Sequence, residues 1–423
     1  MTKLIYQTVI AFYGFLIRIA ALVNPKARLW VSGRQNWDAR LTAQLSGNMA
    51  PVIWLHAASL GEFEQARPVL EALRTQHPNH KLLVTFFSPS GYEVRKNYAG
   101  ADFVAYLPLD TPANARRFVA VVKPRLALFV KYEFWANYLL ELRKQNVPTV
   151  LFSAVFQSNQ LFFRWYGGFQ RRLLDCFSHI LVQNQESVTL LQSIGYEAIT
   201  LAGDTRFDRV AQVTASSQTF PVVQNFCAGS PTLIAGSVWP DDMAVLIPFL
   251  NAFAGPLQVV VAPHEIDAEQ IERWRGQLAQ PSVLFSQLTK QQADNQSAIL
   301  FIDNVGILAW LYQYGQFAFV GGGFRRGGLH NILEPATFGL PVFFGPQINK
   351  FPEAGALLAE GGAFLVSANF PADFGKLYHN PVERARAGAI SRAYVQRNIG
   401  ATAAVVEVAN ELIARGFAVK PSP

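Results

Sequence analysis

Charged residues and cysteines are both scarce in this chain of 423 residues. Charged residues make up 15% and hydrophobic residues 51%, a balance that excludes a disordered chain and a coiled coil. Only Cys176 and Cys227 occur. Two cysteines are too few for a disulfide framework, so we expect a reducing compartment.

Several motifs of catalysis and metal binding are missing as well. The sequence contains no GxxxxGK[ST], HExxH, GxSxG or GxGxxG. No histidines or cysteines have the spacing of zinc ligands, and no Asp-x-Asp pair is present to hold a metal on a nucleotide diphosphate. We therefore expect neither a resident metal nor a cofactor.

After residue 24 the sequence has no apolar run long enough to cross a membrane. The segment Leu4–Val23 has about that length, although Gln7, Thr8 and Arg18 interrupt it. We predict a membrane anchor or an in-plane membrane helix over residues 1–24. A buried helix and a cleaved signal are the alternatives. The basic residues that follow favour a cytoplasmic location for the rest of the chain.

Positive charge is in excess, with 36 Lys and Arg against 29 Asp and Glu, a net charge of +7. The excess suits an anionic partner such as a nucleic acid, a membrane surface or a phosphorylated substrate. No basic and aromatic module of the nucleic-acid-binding kind is present, so we expect no nucleic-acid partner.

From Pro51 onward, short apolar runs alternate with helical patterns, which predicts α/β domains with parallel sheets. The rhythm breaks over Val213–Pro231, which we interpret as a linker. We expect two doubly wound domains, 25–212 and 213–423, the second with a terminal helix over Val382–Phe417. Ligands bind at the carboxyl ends of strands in such sheets, so both domains are expected to face one cleft. The predicted strands are Val52–His56, Lys81–Phe87, Leu126–Val130, Thr149–Ser153, Ile180–Gln183, Ile199–Ala202, Thr232–Ala235, Leu257–Ala262, Ala298–Asp303, Phe317–Val320 and Pro341–Phe344.

The first candidate site residue is Glu62, in the segment Ser59-Leu-Gly-Glu62. A strand ends near His56 and a helix begins near Gly61, so Glu62 lies in the first helical turn. The helix dipole favours an ionised carboxylate there, and such a group can accept a proton from a substrate hydroxyl. The alternative is an ordinary favourable helix start.

The second candidate is a glycine-rich loop between a strand and a helix, Phe319 to Ala336. Glycines allow close backbone approach to a ligand, and a helix amino terminus favours phosphate. A solvated glycine turn is the alternative. The residues of interest are Gly322, Gly323, Arg325, His330, Asn331 and Glu334.

Other strand ends supply further candidates. Gly236-Ser237 ends a strand of the second domain and offers donors to an anion, although an ordinary strand-to-helix turn is equally consistent. Weaker candidates are Lys131 and Glu133 after one strand, Arg206 before the linker, Asn349 in the segment after the last strong strand, and His264, which more often is a capping or packing residue.

At these residues the chain resembles the 3-deoxy-D-manno-octulosonic acid (Kdo) transferases of lipopolysaccharide synthesis. The resemblance rests on Ser59–Glu62, Glu133–Trp135, Thr205–Asp208 and Gly322–Ala336, and extends over about residues 30 to 410. It implies a GT-B glycosyltransferase that moves Kdo, with inversion, from CMP-Kdo to a hydroxyl of a lipid A precursor such as lipid IVA. The implied location is the cytoplasmic face of the inner membrane, peripheral or with a single span, on an anionic surface.

The resemblance also implies residue roles. Glu62 is then the general base, with Ser59 beside it. Glu334 holds the CMP ribose, and His330 and Asn331 support the loop. Ser237 and Arg206 lie near the phosphate and the Kdo carboxylate.

The chain departs from the family pattern at Val238–Asp242 and Ala262–Glu265. Two other functions stay open. One is a GT-B transferase that uses a UDP-sugar on a lipid acceptor, and the other is a non-catalytic membrane-bound protein that binds nucleotide sugars.

Overall fold

The computed structural model describes residues 3–216, 218–288, 297–326 and 328–415. They form two compact units. The first contains the described residues up to Arg209 together with those from Ile399 onward, and the second is Val210–Asn398.

Within the described residues, the first unit has a parallel sheet of seven strands in the order β3-β2-β1-β4-β5-β6-β7. The strands are β1 Val52–Ala57, β2 Lys81–Phe86, β3 Phe103–Tyr106, β4 Pro124–Val130, β5 Thr149–Ala154, β6 His179–Val182 and β7 Ile199–Leu201. The helices are α1 Lys3–Ala20, α2 Pro25–Ser32, α3 Trp37–Leu45, α4 Leu60–Gln76, α5 Pro89–Arg95, α6 Pro112–Val122, α7 Ala136–Lys144, α8 Gly168–Leu174, α9 Gln185–Gln192 and α10 Thr205–Ala215, the last of which crosses into the second unit.

The described part of the second unit repeats this plan with the order β10-β11-β9-β8-β12-β13-β14, again parallel. Its strands are β8 Thr232–Val238, β9 Gln258–Pro263, β10 Ser282–Leu284, β11 Ile299–Phe301, β12 Phe317–Val320, β13 Val342–Phe344 and β14 Ala363–Leu365. Its helices are α11 Pro221–Cys227, α12 Pro240–Ala252, α13 Ala268–Arg275, α14 Phe285–Leu288, α15 Leu308–Leu311, α16 Leu333–Thr337, α17 Pro352–Glu360, α18 Phe370–His379 and α19 Pro381–Arg397.

The central strands are apolar because helices cover both faces of each sheet. Every residue of β1 is buried, and Trp54 from this strand packs against Phe118 and Phe129, with ring centroids 4.8 and 5.2 Å apart. In the second unit, Phe317 and Phe343 form the same kind of core with Phe374 of α18.

The chain order reverses between β1 and β4 in the first sheet, and between β8 and β12 in the second. At such a reversal the connections leave the two neighbouring strands toward opposite faces, and a crevice opens at their carboxyl ends. Glu62 and Lys131 follow β1 and β4. Ser237 lies near the end of β8 and the glycine-rich loop follows β12, so each unit has candidate residues at its own reversal.

Two sequence expectations about chain organisation were wrong in part. The predicted linker, Val213–Pro231, contains α11, whose Val223 and Phe226 are buried in the second unit. The predicted terminal helix is two helices, α19 and α20 Ala401–Arg415, separated at Gly400, whose φ is +127°. Residues 416 and 417 of that expected helix lie outside the described residues.

The last helix, α20, belongs to the first unit rather than to the second, where the sequence analysis had placed it. Asp208 explains the difference, because its carboxylate accepts hydrogen bonds from the backbone N–H groups of Gly400 and Thr402, both at 2.8 Å. Val405 and Ala409 of α20 are then buried against the first sheet. The helix return depends on contacts between residues about 200 positions apart, which local patterns do not reveal.

The amino-terminal helix α1 packs on the first unit along one side only. Tyr6 donates a 2.5 Å hydrogen bond to Oδ2 of Asp110, and Ile10 and Gly14 are buried. Within the described residues, α1 is the helix long and apolar enough to cross a membrane, by length and composition alone. The apolar side chains on its other sides are exposed: Leu4, Ile5, Val9, Phe12, Phe15, Leu16 and Ile19.

Candidate functional site

Glu62 occupies the third position of α4, immediately after β1. Its Oε2 accepts hydrogen bonds from the backbone N–H of Ser59 at 2.8 Å and from the Ser59 hydroxyl at 2.9 Å. This is a capping-box arrangement, which satisfies a donor at the helix start. Among the described residues, Oε1 of the half-buried carboxylate accepts no hydrogen bond, so one oxygen stays available to a ligand.

Glu133 is less accessible to a ligand than its position after β4 suggested. Its side chain is buried, and its Oε2 lies 3.2 Å from Nε2 of His56 and accepts a 2.5 Å hydrogen bond from the Trp135 indole. On the other side of the His56 ring, Nδ1 lies 2.9 Å from the Thr85 hydroxyl. Glu133 therefore belongs to an internal polar network that fixes the turn after β4. The sequence analysis did not assign His56 a role, since a histidine in an apolar strand gives no such signal.

Lys131 and Arg206 follow β4 and β7 at the same edge of the first sheet as Glu62. Lys131 has a φ of +60°, a left-handed conformation that costs a non-glycine residue roughly 1 kcal/mol or more. Arg206 forms an ion pair with Asp204, with Nε to Oδ2 at 2.7 Å. The chain thus holds one cation at a strained strand end and a second beside a carboxylate.

The glycine-rich loop after β12 is built on close contacts within the chain. Gly322 has a φ of +89°, and a Cβ there would lie 2.4 Å from the carbonyl oxygen of Gly328. A Cβ on Gly323 would lie 2.5 Å from the backbone nitrogen of Gly345. The glycines are needed by the fold itself, which is a stronger reason for their presence than ligand approach alone.

Asp242, in the first turn of α12, organises the start of this second site. Its fully buried Oδ2 accepts hydrogen bonds from the backbone N–H groups of Trp239 at 2.8 Å and Gly322 at 2.9 Å. Burial raises the pKa of this carboxyl, and the two N–H donors oppose the rise. The two hydrogen bonds join the end of β8 to the glycine-rich loop.

Gly236 and Ser237 lie at the end of β8, next to that junction. A Cβ on Gly236 would lie 2.1 Å from the Tyr312 hydroxyl, so the residue leaves room for a tyrosine. Ser237 has a φ of +53° and is half-buried. A strained serine at the carboxyl end of a strand is consistent with a binding role.

His330, Asn331 and Glu334 stand together after the loop. The Asn331 amide donates to Glu334 Oε1 at 3.2 Å, and its Oδ1 accepts from the backbone N–H of Leu333 at 3.2 Å. His330 Nε2 accepts a 2.8 Å hydrogen bond from the Trp239 indole. These three residues, which the sequence predicts to bind the nucleotide, are thus neighbours. Glu334 lies in α16, and His330 is held by Trp239.

His330 is expected to make the folded chain sensitive to acid. Burial, with the positive charges of His264 and Arg325 adding to it, lowers the pKa of His330 from 6.5 to about 4. Between these two values the unfolded chain binds a proton that the folded chain does not, so stability falls as the pH falls. Thermal unfolding at pH 7.5 and pH 5 should show this loss.

The matched variant for this prediction is His330→Gln, because a glutamine oxygen can accept the same indole hydrogen bond without titrating. Its unfolding temperature should fall less between pH 7.5 and pH 5 than that of the wild type. An identical fall in the two proteins would contradict the assignment.

Asn349 is exposed in the segment after β13. Gln347 of that segment donates its backbone N–H to the carbonyl of Gly323 at 2.8 Å. The segment is therefore attached to the glycine-rich loop. No metal-binding group of three or more His, Cys, Asp or Glu side chains is present among the described residues.

Comparison with solved structures defines the class of fold. The chain is similar to UDP-GlcNAc 2-epimerase from Neisseria meningitidis, with a TM-score of 0.61, 15% identity, and coverage of 85% of this chain and 100% of that one. It is also similar to MurG from Acinetobacter baumannii, with a TM-score of 0.54, 14% identity, and coverage of 86% and 99%. With its two parallel α/β units, the chain has the GT-B fold of glycosyltransferases.

Comparison of sequences shows which known proteins the chain resembles. Residues 35–209 match the family model described as 3-deoxy-D-manno-octulosonic-acid transferase (kdotransferase). The 3-deoxy-D-manno-octulosonic acid transferase of Aquifex aeolicus is 26% identical over 75% of this chain and 82% of its own length. That of Bordetella pertussis is 28% identical over 86% and 88%. Over most of its length the chain is therefore similar to Kdo transferases, as its motifs had indicated.

Proposed function

We propose that this chain transfers Kdo from CMP-Kdo to a hydroxyl of a lipid A precursor, in lipopolysaccharide synthesis at the inner membrane. The observation that carries the proposal is the position of Glu62. It lies inside the segment that matches the Kdo transferase family, and it follows β1 at the order reversal of the first sheet. A carboxylate there, with one oxygen free among the described residues, suits deprotonation of an acceptor hydroxyl.

The second unit supplies the donor site in this proposal. Glu334 accepts hydrogen bonds from the ribose hydroxyls, and Asn331 fixes its carboxylate at 3.2 Å. Gly236, Ser237 and the backbone of Gly322 and Gly323 offer donors to the phosphate at the carboxyl ends of β8 and β12. Because CMP is a good leaving group, this chemistry needs positioned donors and a base.

Calorimetry with free nucleotides tests the choice of donor. We expect the full chain to bind CMP and to show no binding of UDP at the same concentration. The reverse preference would favour the alternative in which a UDP-sugar is the donor. Binding of CMP by a protein that never turns over CMP-Kdo would favour the non-catalytic alternative.

For the membrane, we propose that α1 lies in the plane of the bilayer surface. Asp110 is fully buried and also accepts from the backbone N–H of Asn137 at 3.0 Å, so the Tyr6 hydroxyl bonds into the fold itself. Tyr13 stacks on Phe87, with ring centroids 6.0 Å apart. A helix that crossed the bilayer would lose these contacts, whereas an in-plane helix keeps them and turns its exposed apolar side to lipid.

This membrane mode predicts the side on which the amino terminus lies. An epitope tag placed before residue 1 should be cleaved by protease added to the side of the catalytic units, in vesicles of phosphatidylethanolamine and phosphatidylglycerol. A tag protected from that protease would indicate a spanning helix.

A substitution on the exposed side of α1 tests the affinity of the chain for the membrane. Phe12→Glu should reduce vesicle binding roughly tenfold or more without lowering the unfolding temperature. Tyr6→Phe should instead destabilise the fold by about 1–3 kcal/mol, because it removes a partner of a buried carboxylate.

A further inference from the structure

Arg325 differs from the other arginine that the sequence predicts to bind an anion. Its guanidinium carbon lies 3.8 Å from the centroid of the Trp239 ring. Among the described residues, the Arg325 side chain makes no hydrogen bond and no ion pair with a carboxylate, whereas Arg206 is paired with Asp204. The side-chain N–H donors of Arg325 are therefore available to a ligand.

The aromatic ring beneath Arg325 is fixed from several sides. The Trp239 backbone is held by Asp242, and its indole Nε1 donates to His330 at 2.8 Å. The Trp239 ring also stacks on His264, with centroids 4.4 Å apart and planes inclined by 26°, and His264 stacks on His330 at 4.3 Å. Trp239 is thus a rigid platform rather than a mobile surface side chain.

The chemistry of this stack points to an anion. A guanidinium that lies over an aromatic ring keeps its edge free, and that edge carries donors in a geometry that fits phosphate and carboxylate oxygens. The half-buried Arg325 lies in the glycine-rich loop, three residues beyond Gly322. Trp239 and His264 both lie in the segments where the sequence departs from the family pattern, so the two departures form one structural feature.

We propose that Trp239 is a positioning residue that presents Arg325 to an anionic group of the donor, a phosphate or a carboxylate. The inference rests on the proposed function, because it takes the CMP-linked sugar as the donor. It assigns roles to Trp239 and His264 that the sequence motifs did not, and it makes Arg325 a binding residue.

The test compares CMP with cytidine, which lacks the phosphate, by calorimetry on the full chain. Arg325→Ala should weaken CMP binding roughly 10- to 100-fold, the range expected for hydrogen bonds between charged groups, and leave cytidine binding unchanged. Arg386→Ala removes an exposed positive charge from α19 of the same unit and should leave both affinities unchanged.

Variants of Trp239 separate positioning from general stability. Trp239→Leu should weaken CMP binding roughly 2- to 30-fold, and Trp239→Phe, which keeps an aromatic face, should recover most of that loss. If Trp239 acts through Arg325, the double variant Trp239→Leu/Arg325→Ala should bind CMP as Arg325→Ala does. Additive losses of CMP affinity in the double variant would overturn the proposal.

Two further measurements identify the anion that Arg325 binds and test separately whether CMP-Kdo is the donor. If CMP affinity is unchanged in Arg325→Ala but the KM for CMP-Kdo rises roughly tenfold at constant kcat, the anion is the Kdo carboxylate. If neither changes, Arg325 binds neither group and the inference is wrong. If the wild type binds UDP and not CMP, the proposed function fails, and the same variants compared on UDP and uridine then decide the role of Arg325.

Discussion

Glu62→Gln should lower the rate of Kdo transfer roughly 10²- to 10⁴-fold, the range that general base catalysis contributes. Glutamine has nearly the same shape but cannot accept the proton of the acceptor hydroxyl. Its amide oxygen can still accept from the N–H and hydroxyl of Ser59, so the capping box survives. The unfolding temperature and the affinity for CMP should therefore stay close to those of the wild type.

The controls for Glu62→Gln separate its two roles. Glu407→Gln makes the same chemical change at an exposed position of α20 and should leave the rate unchanged. Glu62→Ala removes the base and the cap together, so it should also destabilise the fold by about 1 kcal/mol. If Glu62→Gln transferred Kdo at nearly the wild-type rate, the carboxylate would be a helix cap and nothing more.

Gly323→Ala should have the largest effect on stability. The added Cβ would lie 2.5 Å from the backbone nitrogen of Gly345 and 2.7 Å from its Cα. Neither atom can move aside as a side chain does, because β12 and β13 are paired in register at Phe319–Phe343 and Val320–Phe344. We expect a loss of about 3 kcal/mol in the free energy of unfolding.

Thermal or urea unfolding measures this loss, which corresponds to a fall of roughly 6–12 °C in Tm for a unit of this size. Gly375→Ala is the matched control, since a Cβ at that position of α18 would meet no atom within 4 Å. It should be neutral or raise stability by up to about 1 kcal/mol, because alanine favours a helix. Equal stability of the two variants would contradict the close contact at Gly323.

The sequence was sufficient for the central strands and the edge strand β7, and insufficient for the other three edge strands of the described sheets. The runs at β1, β4, β8 and β12 are continuous and apolar because both faces are covered. The unpredicted strands are β3, β10 and β14, each at one end of a sheet and each only partly buried. An edge strand pairs on one side only and needs no such run, so its sequence resembles a loop.

In the candidate site, local features of the chain were predicted and contacts between distant residues were not. Features fixed by local chain geometry, such as Glu62 in the first turn of a helix after β1 and a glycine-rich loop after β12, were predicted from the sequence. Contacts between distant strand ends were not. Trp239 and His264 meet because β8 and β9 are neighbours, and Glu133 meets His56 because β4 pairs with β1.

The same limit explains why the sequence did not predict that α20 belongs to the first unit. Asp208 caps that helix across about 200 residues, and no local pattern reports such a contact. Glu133, which was predicted as a ligand contact, instead joins β4 to β1 through His56.

The central claim is the transfer of Kdo, and the most direct measurement is mass spectrometry of the lipid after incubation of the full chain with CMP-Kdo and lipid IVA. The account predicts lipid products that are heavier by whole Kdo residues, formed together with free CMP and absent with Glu62→Gln. If a folded, membrane-bound protein that binds CMP left the lipid unchanged, that result would contradict the account.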